Sequence, residues 1–132
     1  GRVLSEKMTF GNGPRGSTYK YEYDSSGSRK FIFDVDSSGN IRPQLSNTYD
    51  LQGKTLETIF YNKSGLPGTR DVYQYNEYGT MIQLTRYPYK GDSVLLNIRW
   101  IMEYDKQKNW TKKSEFVNGN PSISISREIQ YY

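Results

Sequence analysis

The sequence predicts an all-β chain: an antiparallel up-and-down meander of about nine strands, forming a strongly twisted or curled open sheet. Three observations carry that expectation. A turn motif recurs at near-constant spacing, large side chains alternate with period two between the turns, and the composition disfavours helix.

The motif is an aromatic or β-branched residue, then Asp or Asn, two variable residues and Gly. It reads Tyr23-Asp24-Ser-Ser-Gly27, Val35-Asp36-Ser-Ser-Gly39, Tyr49-Asp50-Leu-Gln-Gly53, Tyr61-Asn62-Lys-Ser-Gly65 and Tyr75-Asn76-Glu-Tyr-Gly79. The glycines are 12, 14, 12 and 14 residues apart. Weaker echoes follow at Tyr89-Lys90-Gly91, Tyr104-Asp105-Lys-Gln-Lys108 and Val117-Asn118-Gly119. An Asp or Asn side chain opening a turn accepts a backbone N–H two residues on. Gly three positions later supplies the positive φ that closes a type I turn with a bulge.

The flanks justify the strands in order. Tyr19, Tyr21 and Tyr23 alternate, then Phe31, Phe33 and Val35, then Tyr73 and Tyr75. The longest ladder is Val94, Leu96, Ile98, Trp100, Met102 and Tyr104; Ile123, Ile125, Arg127, Ile129 and Tyr131 form the last. Period two is the strand period. Strands are expected over 17–23, 29–35, 41–49, 54–61, 69–75, 80–89, 93–104, 110–117 and 122–132, as one domain. A repeat this short leaves no room for crossover helices, so neighbours run antiparallel. The N-terminal segment 1–16 is open between a further strand with a loop and a frayed end.

The 132 residues contain no Ala, the best helix former, and no Cys or His. Leu, Ile, Val and Phe together number 27, so the 13 Tyr must supply much of the buried surface. The missing thiols and imidazoles remove the commonest base, the thiol nucleophile and the usual zinc ligands. No apolar run approaches the roughly 20 residues of a membrane helix, so no transmembrane segment is expected. Gly1 in place of Met reads as a processing scar, with a leader removed.

Tyr-Asp-x-x-Gly repeated along Tyr-rich strands resembles the YD repeats of RHS and teneurin-type proteins. Gly39-Asn40-Ile41 matches the Gly-Asn-apolar extension of such repeats, and Lys108-Asn109-Trp110 keeps its last two positions. The stretch from Tyr104 to Tyr132 resembles the ending of small exported proteins of gut Gram-negative bacteria. The resemblance spans 17–132 and implies an exported chain, periplasmic or on the cell surface. Large YD-repeat proteins wind a shell around cargo; this chain is too short for one, so encapsulation does not carry over.

Candidate sites are few. Asp34-Val-Asp36-Ser-Ser38-Gly39-Asn-Ile41 imitates the start of a calcium loop, but the closing bidentate Glu is replaced by Leu45. No metal or cofactor is expected. The aromatic ladder reads either as the core face of the sheet or as a stacking platform for sugars or bases; its strand period favours the core. The ligand-binding candidates are therefore Tyr78 and Trp110, outside the main ladder, with Trp100 within it. The 18 Lys and Arg are interspersed with 14 acids, against the single basic stripe of a nucleic-acid binder. The strand carboxylates Glu57, Asp71, Glu103, Glu115 and Glu128 sit in no catalytic motif, and Asn62 and Asn109 head incidental sequons. The expected function is a non-enzymatic exported scaffold or binding module. The runner-up is a carbohydrate-binding module, and a carboxylate hydrolase comes third. A cell-surface polysaccharide or another protein is the expected partner, with a homodimer through the sheet face or edge as an open alternative.

Overall fold

The computed structural model describes residues 3–8, 17–23 and 28–132. Their strands are β1 (Val3–Met8), β2 (Ser17–Tyr23), β3 (Arg29–Val35), β4 (Ile41–Tyr49) and β5 (Thr55–Tyr61), then β6 (Pro67–Tyr75), β7 (Met81–Pro88), β8 (Leu96–Tyr104), β9 (Trp110–Val117) and β10 (Asn120–Ser126). The ten strands pair antiparallel in chain order in one sheet. β1 and β10 are its edges, so the sheet is open rather than closed into a barrel. All nine expected strands are present, seven of them within two residues of the expected bounds, and β1 adds a further strand within 1–16.

The turns explain the meander. In the copies at Asp36, Asp50, Asn62 and Asn76, the first residue's carbonyl accepts the glycine N–H at 2.9–3.1 Å. Its own N–H donates to the carbonyl one residue beyond that glycine. Its side-chain Oδ1 accepts the N–H groups two and four residues on, at 2.9–3.1 Å. Gly39, Gly53, Gly65 and Gly79 have φ between 76° and 83°. The turn at Asp105 keeps every one of these bonds, with Lys108 forced to φ 65° in the glycine's place. The first copy, Asp24 to Gly27, lies outside the described residues.

Two strand boundaries differ from expectation. The strand expected over 93–104 starts at Leu96, because 89–95 form an exposed loop around Gly91 (φ 136°). The strand expected over 122–132 is Asn120–Ser126. Asn118 and Gly119, at φ 50° and 82°, make a two-residue hairpin that brings the strand forward. Beyond Ser126 the strand ends, although the Arg127 N–H still donates to the Thr111 carbonyl of β9 at 2.9 Å and Tyr131 reaches the Asp105 turn.

No second layer covers the sheet among the described residues. Ile59, at 7 % exposed, is their one buried apolar side chain. The other buried residues are Ser46, Thr58, Asp71 and Thr85, all on the central strands β4 to β7. They are satisfied across strands. Arg86 holds Asp71 through two 2.7 Å bonds. The Tyr73 hydroxyl donates to Thr58 Oγ1 (3.0 Å), which donates to Asn47 Oδ1 (2.7 Å). Asn97 Nδ2 donates to Thr85 Oγ1. The aromatic ladder is thus not the face of a closed core; its rings are half-buried in a single layer.

Candidate binding surface

Directly opposed residues in an antiparallel pair share a face. Strand pairing therefore gathers Tyr19, Tyr21, Tyr23, Lys30, Ile32, Leu45, Phe60, Tyr73, Leu84, Arg86, Ile98, Trp100 and Lys113 onto one side. Cations lie over the rings. Lys30 Nζ is 4.1 Å from the Tyr21 ring centre and 5.9 Å from that of Tyr23. The Arg86 guanidinium stands 5.4 Å from Phe60, and Lys113 Nζ 5.2 Å from Trp100. The opposite side repeats the device with Arg70 on Tyr87 and Arg99 on Phe116. Each aliphatic stem and cationic head shields a ring that no second layer covers, while leaving it accessible from water.

The three ligand candidates are separated. Tyr78 lies on the β6–β7 turn, 45 % exposed, with its ring 4.6 Å from that of Tyr104. A hydrogen bond with Glu77 raises its hydroxyl pKa. Trp100 is half-buried in β8, its indole N–H donating to Glu115 Oε2 at 2.9 Å. Trp110 carries the Arg127 guanidinium 3.8 Å from its ring centre, and its carbonyl accepts Arg127 Nε at 2.6 Å. One face of Trp110 is therefore occupied by the chain itself.

Another constellation escaped sequence reasoning. At the end of the sheet bearing the Asp50 and Asn76 turns, an open groove of about 480 Å³ is lined by Tyr23, Lys30, Tyr49, Asp50, Leu51 and Gly53. Tyr23 and Lys30 are direct cross-strand partners. Tyr49 receives a 3.3 Å bond from Asn47 Nδ2, and Leu51 is fully exposed at the rim. Two aromatic rings, an ammonium and a carboxylate thus share one groove. The sequence carried no signal for it: the described turns pair the residue before Asp or Asn with the one two past Gly, as Tyr49 with Thr55, a rule that would set Tyr23 against Arg29 rather than Lys30.

The strand carboxylates are engaged. Asp71 is held by Arg86, Glu115 by Trp100, and Glu57 lies 3.8 Å from Arg70. Glu103 lies 3.9 Å from Lys112. Glu128 falls past the end of β10. Among the described residues no group of three His, Cys, Asp or Glu could hold a metal ion. None of their helices could cross a membrane, since they form none of that length and apolarity. No protein-family model matches the sequence, and a search of curated proteins returned no match.

Proposed function

We propose that this chain is a non-enzymatic binding scaffold of degenerate YD-like repeats, acting outside the cytoplasm at the cell surface or in the periplasm. The carrying observation is the single-layer sheet, whose rings stay half-exposed beneath cations instead of disappearing into a core. Half-exposed aromatic surface with fixed orientation is what binding surfaces present. The engagement of Asp71, Glu115, Glu57 and Glu103 by neighbours supports a role without acid–base chemistry.

A second reading is favoured by the groove. Tyr23 and Tyr49 offer flat apolar surfaces, and Lys30 and Asp50 offer a donor and an acceptor, the combination that recognises a sugar ring. A polysaccharide array tests it. Binding should weaken about tenfold in Tyr49→Ala, the worth of one aromatic contact of about 1.4 kcal/mol. An array without any bound glycan leaves the protein-binding scaffold as the reading. Turnover of any glycan on that array would overturn both.

A further inference from the structure

We infer that the β10 edge is a homotypic interface, through which two copies of this chain pair antiparallel about a two-fold axis at Ser124. This does not depend on the proposed function. β10 hydrogen-bonds β9 on one side, and all seven of its residues are exposed. Ile123 is 56 % and Ile125 50 % exposed. An edge strand offers unpaired N–H and C=O groups, and natural sheets blunt such edges with charge, proline, bulges or cover. The opposite edge, β1, carries Glu6 and Lys7. Ser122 to Ser126 carry neither charge nor proline; Pro121 and a bulge between Pro121 and Ser124 lie at the strand's start, and Ser124 to Ser126 keep regular register. Past Ser126 the chain keeps to the β9 side: Arg127 N–H donates to the Thr111 carbonyl and its guanidinium reaches Trp110.

The sequence of the edge is complementary to itself. A two-fold axis at Ser124 sets Ile123 opposite Ile125 of the second copy. It places no like charges opposite each other within that stretch. Opposed β-branched pairs are favourable in antiparallel ladders. The contact is short, so it belongs with weak interfaces. Ser124 is the one position that meets itself across the axis. It faces solvent, with its hydroxyl 3.5 Å from that of Ser114, so a longer side chain fits there.

That position supplies the test. Sedimentation equilibrium of the full chain should pass from one chain mass to two over roughly 10 µM to 1 mM. Ser124→Lys and Ser124→Glu should each stay monomeric, because each sets like charges face to face. Mixing the two variants should restore a dimer holding one of each, which also shows that both are folded. The inference is overturned if the wild type stays monomeric throughout, if either variant dimerises like the wild type, or if the mixture does not pair. Mass that grows past two without limit would also overturn it, by pointing to head-to-tail joining of β10 to β1.

Discussion

At the residue scale, the turns and the buried pair decide stability. Gly39 sits at φ 82° with nothing within 4 Å of where a Cβ would lie, so its requirement is conformational. Gly39→Val should cost about 1–3 kcal/mol in a denaturant melt. Lys108 adopts φ 65° in the equivalent position, so Lys108→Gly should stabilise by about 0.5–1 kcal/mol. Equal melts for both variants and the wild type would sink the turn assignment. The Asp71–Arg86 pair is asymmetric. The carboxylate is only 2 % exposed, whereas the Arg86 side chain is 37 % exposed and can rehydrate. Its hydrogen bond with Asp71 raises the Arg86 pKa, so the guanidinium stays charged. Arg86→Ala strands a buried charge and should cost about 3 kcal/mol. Asp71→Asn keeps the shape and a hydrogen bond and should cost about 1 kcal/mol. The reverse order in thermal unfolding would contradict this account.

At the element scale, tyrosines stitch one end of the sheet. Tyr75 donates to the Thr55 carbonyl at 2.7 Å, beside the Asp50 turn. Tyr104 accepts from Asn76 Nδ2 at 2.6 Å, and Tyr131 donates to Asp105 Oδ2 while accepting from Asn109 Nδ2. Each of these three turns is bonded by a tyrosine from roughly two strands on, and the C-terminal segment supplies the last. This segment should respond to pH at both extremes. The Tyr131 hydrogen bond, chiefly, lowers the Asp105 pKa, and the same bond raises that of Tyr131. A lowered carboxylate stabilises docking above its unfolded pKa and loses that effect as pH falls through the folded one. A raised tyrosine stabilises docking below its unfolded pKa and loses the effect as pH rises past the folded one. Trp110 emission in a Trp100→Phe variant should be flat near neutrality and change below about pH 4 and above about pH 10. Flat emission at both extremes, or a transition near pH 7, would refute the docking.

The same segment marks what the sequence could reveal. Asp-x-x-Gly spacing and period two are local, so they placed strands from Arg29 to Tyr75 within a residue or two. The alternation of Ile123, Ile125, Arg127 and Ile129 also reads as local strand, but β10 ends at Ser126, beyond which the Arg127 and Tyr131 side chains engage Trp110 and Asp105. The groove at Tyr23, Lys30, Tyr49 and Asp50 was hidden because it joins residues from three strands. Trp110 drew attention by its residue type, yet Arg127, 17 positions away, lies over its ring.

At the scale of the molecule, the absence of a second layer among the described residues is the governing fact. Stability must come from strand pairing, cation-shielded rings and the polar cross-links of β4 to β7, where the buried residues lie. Strands far from that centre have fewer buried groups to hold them, and local opening follows such differences. Native-state hydrogen exchange, read strand by strand, tests this most directly. Backbone amides of β5, β6 and β7 should be the slowest, with protection falling in steps toward β1 and β10. Uniform protection across all ten strands, or the slowest amides in β9 and β10, would contradict a single-layer sheet held from its middle.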